Sequence, residues 1–319
     1  MRQFAGFESA NPVPASTDAS FRRYFRVQGD VSCIIMDAPP PQENCLPFIR
    51  IADQLEKMGL NSPRVLKEDL DRGFLLLSDL GSTPYLVAIE RHPEHAPSLY
   101  MDAIDALLMM QTRGANVQSE LPPYNETMLY FEMSLFHDWL CERHLEIQFS
   151  DDEEKLWKEC CDAVIGNAVN QPRVFVHRDY HSRNLMVTEF GNPGILDFQD
   201  AVEGPLTYDL VSLLKDCYIK WPEEQILQRA LYFREYSEIA ARLEQNQFIR
   251  DFHLMGIIRH LKAAGIFARL LHRDGKPGYL KDIPRTLSYV ADIAPRYPEL
   301  SFLGEFIEER VLPALRARR

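Results

Sequence analysis

The stretch VFVHRDYHSRNLMV, residues 174–187, sets a His, an Asp and an Asn between two apolar runs. A plain hairpin bend would need only a Gly or an Asn. This insert is charged and eight residues long. Asp179 and Asn184 lie five residues apart, on a loop that leaves one short strand and opens another, NLMV. GILDFQD (194–200) supplies a third strand that ends at Asp197. The sequence therefore carries two carboxylates and an amide to neighbouring strand ends.

All three are hard oxygen donors, of the kind Mg²⁺ takes while it also binds phosphates. Phosphoryl transfer needs such a set. A metal neutralises charge on the β and γ oxygens, and one carboxylate stays off the metal to orient the attacking hydroxyl and accept its proton. Asp179 is placed for the base, and Asn184 and Asp197 for the metal. A neutral amide beside a carboxylate limits the negative charge gathered around ATP. A polar hairpin with turn-forming Asp and Asn would explain these residues one at a time, but not their joint spacing.

The rest of the composition bounds the class. The chain has 319 residues, 46% hydrophobic and 26% charged, enough for one large or two moderate globular domains. A net charge of −12 argues against a nucleic-acid partner and, more weakly, against an anionic membrane surface. The six cysteines form no CxxC pair, which reads as reduced thiols in a cytosolic protein. The start, MRQFAGFESANPVP, lacks a charged residue run followed by an apolar one, so no signal peptide is expected. No apolar run approaches ~18 residues, so no transmembrane helix is expected either.

Along the chain, FRRYFRV (21–27) alternates with period two, and VSCIIMD (31–37) is a compact β-branched run, with Gly29-Asp30 as the turn between them. Phe48, Ile49, Ala52 and Leu55 recur at helical spacing from about Cys45 to Met58, and Gly59 ends the pattern. RVLKEDL and GFLLLSDL read as a second hairpin. After Leu80-Gly81 helical patterns dominate, near 95–112, 126–144, 152–169, 206–219, 223–243, 248–272 and 300–317. The strand-like breaks are 173–177, 184–188 and 194–198. The expected organisation is a small β-rich lobe over 1–80 and a larger, mainly helical lobe over 81–319.

H-x-D-x-x-x-x-N (177–184) followed by an apolar strand and Asp197-Phe198 resembles the catalytic and metal-binding loops of the protein-kinase-like fold. Tyr180-His181, and D-F-Q-D in place of D-F-G, are similar to the aminoglycoside phosphotransferase and choline kinase branch, which phosphorylates small molecules. GPLTYDLVSLL (204–214) is also typical of that branch, where Asp209 would cap a helix beneath the site. MDAPPPQENCLPF (36–48), GFLLLSDLG (73–81) and RHLKAAGIFARLLHRDGKPGYLKDIPR (259–285) resemble the amino-sugar anomeric kinases within it. The resemblance covers nearly the whole chain. It implies an α+β, two-lobed protein-kinase-like enzyme, with ATP and Mg²⁺ between its lobes. The implied acceptor is the anomeric hydroxyl of N-acetylmuramate or N-acetylglucosamine, phosphorylated to the α-1-phosphate in cell-wall recycling. An aminoglycoside or other small-alcohol phosphotransferase, and an inactive nucleotide-binding module, are the alternatives.

The match departs at the nucleotide end. PASTDASFRR (14–23) has no Gly, although its small residues, with Ser16, Thr17 and Ser20 as candidates, would let backbone N–H groups and hydroxyls approach phosphate. VSCIIMD lacks the third-strand Lys that pairs with the α and β phosphates, which leaves Arg22 or Arg23 to replace it. The resemblance puts adenine at Ser78, Asp79 and Leu80. His177 is expected to pack and hold the loop, and Arg178 to be exposed or paired locally. Arg183 is the candidate acceptor contact within the loop. Asp200 is open between second metal ligand, substrate contact and turn residue. In the helix near 248–272, Arg259, Lys262, Arg269 and Arg273 share a face. That stripe is either a solvated face paired with carboxylates or a recognition element, through Arg259 and Lys262, for an anionic group of the substrate such as a lactyl carboxylate. Trp139 and Trp157, at helical spacing, read as core.

Overall fold

In the computed structural model, which describes residues 11–17, 21–29 and 31–318, the chain divides into two compact units. One lies within Met1–Val117 and Ser182–Ala201, the other within Gln118–His181 and Val202–Arg319. The first carries a small antiparallel sheet and the second is mainly helical, the α+β composition expected from the sequence.

The sheet has five strands: β1 (Val13–Thr17), β2 (Arg23–Val27), β3 (Cys33–Asp37), β4 (Val65–Asp69) and β5 (Phe74–Ser78), in the order β1-β2-β3-β5-β4. Both expected hairpins form, β2 with β3 and β4 with β5. β1 is an addition. The segment expected to precede the first strand begins as one, paired with β2 across a register shift between Pro14 and Ser16. Period-two alternation sends Val27, Cys33, Ile35 and Leu76 to one face, where Phe25 and Phe74 pack on them.

Between β3 and β4, α1 (Leu46–Lys57) buries Phe48, Ile51, Ala52 and Leu55, a stripe at i, i+3, i+4, i+7. It stops at Gly59, whose φ of 79° is the left-handed conformation a Gly adopts freely. The N–H groups of Gly59 and Leu60 donate to the carbonyls of Glu56 and Leu55 at 2.9 and 3.0 Å, which satisfies the last turn. One helix not expected from the sequence follows, α2 (Tyr85–Arg91), and after it α3 (Ala96–Gly114) covers the expected 95–112.

The second unit opens with α4 (Glu126–Leu135), which widens into a π-helical stretch over Phe136–His144, and α5 (Asp151–Asn170). β6 (Arg173–Val176) then leads into the decisive loop. The chain next supplies the first unit with a two-stranded ribbon, β7 (Leu185–Met186) and β8 (Gly194–Ile195). It returns through β9 (Val202–Pro205), antiparallel to β6 and hidden in the sequence by its Gly and Pro. The remaining helices are α6 (Tyr208–Leu214), α7 (Glu223–Tyr236), α8 (Gln245–Asp274), α9 (Ile283–Ile293), α10 (Ser301–Phe306) and α11 (Leu312–Ala317). No helix among the described residues is long and apolar enough to cross a membrane.

α8 is the axis of this unit and packs against α4, α5, α6 and α9. Gly265 allows its closest approach: a Cβ there would lie 2.5 Å from the Phe136 amide nitrogen and closer still to the Leu135 carbonyl. Ala at an exposed helical Gly would gain about 1 kcal/mol of helix propensity. Here the collision is with backbone, which cannot rotate away. Gly265→Ala should therefore lower the unfolding free energy by about 2–3 kcal/mol, read from urea midpoints at unchanged slope.

Candidate active site

The loop after β6 is held from beneath. Asp209, in the first turn of α6, accepts the His177 N–H at 2.6 Å through Oδ2 and the Arg178 N–H at 3.0 Å through Oδ1. The sequence reading made Asp209 a helix cap. Instead its carboxyl clamps the backbone of the loop, because α6 begins at Tyr208 and presents Asp209 to the end of β6. Arg178 adopts φ 78°, a left-handed turn that a side chain ordinarily resists. The turn reverses the chain, and the Asp179 N–H donates to His177 Nδ1 at 3.2 Å. His177 is fully buried, as expected of a residue that packs and holds the loop. Burial pushes the Asp209 carboxyl up to about 7, although both N–H donors favour its ionised form.

This last shift has a sign. From about pH 4 to 7 the folded state keeps a proton on Asp209 that the unfolded chain releases. The associated stabilisation is complete below about pH 4 and is lost as pH rises through 7. Asp209→Asn keeps an acceptor for the loop and should flatten this part of the profile, which urea midpoints at about pH 5 and about pH 8 measure.

Asp179 is half-buried and sits in a field of cations. Burial alone would raise its pKa. Lys262, His181, Arg259 and Arg178 outweigh it and hold the carboxyl below the usual carboxylate range, so it is ionised at neutral pH. Two of these cations share one carboxylate. Lys262 Nζ lies 2.9 Å from Glu132 Oε1 and donates to the Tyr208 hydroxyl at 2.9 Å. Arg178 Nη2 meets the same Glu132 oxygen at 2.5 Å, and the Tyr124 hydroxyl donates to its other oxygen. Arg259 donates to Ser212 Oγ and lies 3.8 Å from Cys217 Sγ.

The basic stripe is thus not a solvated face at its N-terminal half. Arg259 and Lys262 are 6% and 9% exposed. Arg269 is half-buried, and Arg273 is exposed and pairs with Asp274. Nor is Arg178 exposed or locally paired, since its partner Glu132 comes from α4. Trp157 is core, 5.5 Å from Phe136 ring to ring.

In the first unit, the β7–β8 ribbon sets Asn184 and Asp197 at the same end of one ladder. Leu185 pairs with Ile195, and the Leu196 N–H donates to the Asn184 carbonyl at 2.9 Å. Asn184 Nδ2 reaches Asp197 Oδ2 at 3.3 Å. Asp197 is left-handed, φ 62°. Phe198 after it is fully buried and packs on Phe48 of α1, 4.7 Å between ring centroids, which anchors the aspartate's backbone. Gln199 Nε2 donates to Asp197 Oδ1 at 2.8 Å, and its Oε1 is a buried acceptor without a hydrogen-bond partner among the described residues. An amide oxygen, a carboxylate and an orphaned buried oxygen are a donor set that fits a hard divalent cation. Asp200 is exposed in the turn, with Gln199 Nε2 at 3.5 Å. Arg183 is half-buried in the loop ahead of β7.

The nucleotide candidates are placed unevenly. Ser16 and Thr17 end β1, paired with Tyr24 and Arg23, and Ser20 lies outside the described residues. Arg22 Nε forms an ion pair with Glu43 Oε2 at 3.0 Å, with 11% and 12% of the two side chains exposed. Arg23 is exposed and pairs with Asp37. Asp79 is fully engaged: Arg26 Nε and Nη2 donate to it at 2.6 and 2.9 Å, Ser32 Oγ at 2.5 Å and the Gly81 N–H at 3.0 Å. Ser78 Oγ accepts the Arg64 N–H at 2.9 Å, and Leu80 follows β5 half-buried. The side chains of Ser78 and Asp79 are thus committed within the protein. The residues that sequence reasoning missed are Glu43, Glu132 and Gln199. A Glu four residues upstream of FHDW looks like surface, and only the packing of α4 on α8 makes Glu132 central.

The sequence model of the phosphotransferase enzyme family matches residues 12–245. The chain is 48% identical over 302 residues to the N-acetylmuramate/N-acetylglucosamine kinase of Pseudomonas aeruginosa, across 93% of this chain and 88% of that protein. It is 40% identical to the protein of the same name from Neisseria meningitidis, across 93% of this chain and 90% of that one. Among solved structures, a choline/ethanolamine kinase family protein from Mesorhizobium loti superposes with a TM-score of 0.64 at 14% identity, across 98% of this chain and 94% of its own. That likeness of fold agrees with the protein-kinase-like α+β class expected from the sequence.

Proposed function

This chain belongs to the phosphotransferase enzyme family, and from that premise we propose that it is an ATP-dependent kinase for the anomeric hydroxyl of N-acetylmuramate and N-acetylglucosamine. The product is the α-1-phosphate, as in the recycling of cell-wall amino sugars. The acceptor assignment is supported by the names of the relatives at 48% and 40% identity. The chemistry is supported above all by one observation: a carboxylate kept ionised by Lys262, Arg259 and Arg178 stands five residues before the Asn184–Asp197 pair.

In this reading Asp179 accepts a hydrogen bond from the sugar hydroxyl, aims its oxygen at the γ-phosphate and takes its proton as the new bond forms. An anomeric hydroxyl is more acidic than an ordinary alcohol, so an ionised carboxylate of low pKa is an adequate base. Asn184 and Asp197, with Gln199 beside them, hold Mg²⁺. When bound, the ion supplies charge neutralisation at the β and γ oxygens. Arg22, steadied by Glu43, stands in for the missing third-strand Lys at the phosphates. Arg23 is already committed to Asp37 in an exposed position. Backbone groups at Ser78, Asp79 and Leu80 take adenine, and Ser16, Thr17 and Ser20 flank the phosphates. Arg183 and Asp200 are the acceptor contacts. Arg259 and Lys262 serve the base's surroundings rather than a substrate carboxylate, because their donors end on Ser212, Glu132 and Tyr208.

ATP consumption with Mg²⁺ across N-acetylmuramate, N-acetylglucosamine, kanamycin, choline and homoserine tests the reading, with the phosphorylated position read by phosphorus NMR. Turnover on the amino sugars with phosphate at C1 is the expected result. Turnover on kanamycin or choline alone would discard the sugar and keep the roles of Asp179, Asn184 and Asp197. ATP binding without turnover on any acceptor would favour an inactive nucleotide-binding module.

A further inference from the structure

α6 ends at Lys215, at the opposite end of the helix from Asp209. The Lys215 side chain is 4% exposed. Its Nζ lies 4.8 Å from the Phe252 ring centroid and has no hydrogen-bond partner among the described residues. Buried polar groups ordinarily find partners, and a buried cation without an anion is the costliest exception. Lys215 also lines a cavity of about 50 Å³, walled by Trp221, Ile226, His253 and Tyr289. None of these residues has a part in the chemistry proposed above.

The charges around this cavity sum simply. Lys220 Nζ pairs with Asp292 at 2.8 Å, and Arg296 Nη1 with Glu223 at 2.5 Å. Each pair cancels. Burial, with Lys215 and Arg296 nearby, drives His253 down to about 3, so it is neutral, and its Nδ1 bonds the Tyr297 hydroxyl at 2.9 Å. A protonated Lys215 therefore leaves the lining with a single positive charge. Burial pushes the Lys215 ammonium down to about 7, with Glu223 and Asp292 opposing that and Arg296 and Lys220 assisting it. An anion at Nζ would supply what the fold withholds. One water needs about 10–15 Å³ of such space, so the cavity admits a group of three or four heavy atoms and nothing the size of a sugar or a nucleotide.

We propose that this cavity is a binding site for a small monovalent anion, of the size of chloride or formate, held by the Lys215 ammonium against the wall of Trp221 and Tyr289. Divalent phosphate carries more charge than the lining balances, and gluconate exceeds the space.

The test uses the full chain. Thermal unfolding is followed at neutral pH and matched ionic strength in sodium chloride, sodium formate and sodium gluconate. The native protein should melt about 2 °C higher in chloride or formate than in gluconate once the anion reaches about ten times its Kd. The difference should fade as pH rises from about 7 to about 9, because burial has pushed the Lys215 ammonium down to about 7 and the side chain is neutral by the end of that range. Lys215→Met, of similar shape and uncharged, should abolish the difference, and Lys215→Arg should keep it. Equal melting in all three salts, or the same ordering in Lys215→Met, overturns the proposal. Crystals of the native protein grown in bromide decide the matter even if the variants fold poorly. An anomalous peak beside Lys215 Nζ supports the site, and water alone there overturns it.

Discussion

Asp179→Asn should lower turnover about a thousandfold while leaving nucleotide binding within about twofold. The amide still fills the space and still accepts a hydrogen bond, so the acceptor can dock. It cannot take the proton. The surroundings of Asp179 sharpen the expectation. Lys262, His181, Arg259 and Arg178 hold its carboxyl below the usual range, so the native enzyme keeps this base ionised through neutral pH and well into acid. A limb in kcat/KM near pH 6 or 7 that belonged to this group would contradict the field described here. ATP binding is measured by calorimetry and turnover by coupled assay. Near-native turnover in the variant would remove Asp179 from the chemistry.

The second large effect falls on stability. Glu132→Ala should cost about 3–5 kcal/mol, because it strips the shared anion from the buried Lys262 and the half-buried Arg178. Burial disfavours the charged form of Lys262, and Glu132, the largest of the opposing influences, with Tyr208 and Asp179, outweighs it. Adding Lys262→Met to Glu132→Ala removes one of the stranded charges, so the double variant should be more stable than the single one. Chemical unfolding of all four combinations yields the coupling directly. Strict additivity would mean that the ion pair contributes nothing as a pair. Turnover should fall as well, since Arg178 and Lys262 set the charge at Asp179, although by less than in Asp179→Asn.

The catalytic loop was legible because its logic is local. Asp179, Asn184 and Asp197 lie within nineteen residues, and the spacing of three polar groups against short apolar strands survives without any tertiary information. The two hairpins and the helix ended by Gly59 were legible for the same reason. What escaped depends on packing between distant segments. Glu132 and Lys262 are far apart in the chain and meet only because Gly265 lets α8 press onto α4. The basic stripe was visible at its correct spacing, yet periodicity cannot say which way a face points. α8 is buried nearly all round, so the usual inference from charge to solvent failed at Arg259 and Lys262. Asp209 sits where a cap is expected, and its true partners belong to another strand. β9 was missed because Gly and Pro argue against a strand, whereas here the segment is held by β6 on one side and by a bridge from Glu203 to Pro123 on the other.

The left-handed backbone at Arg178 and Asp197 bears on how this protein would respond to engineering. Each position holds a conformation that Gly would adopt with less strain, a difference on the order of 1 kcal/mol. A search that selects variants for heat resistance alone would therefore be drawn toward Gly at 197, and each such gain would delete a proposed metal ligand. Libraries built for robustness should hold these two codons fixed and spend their diversity elsewhere, or be screened for turnover at every round.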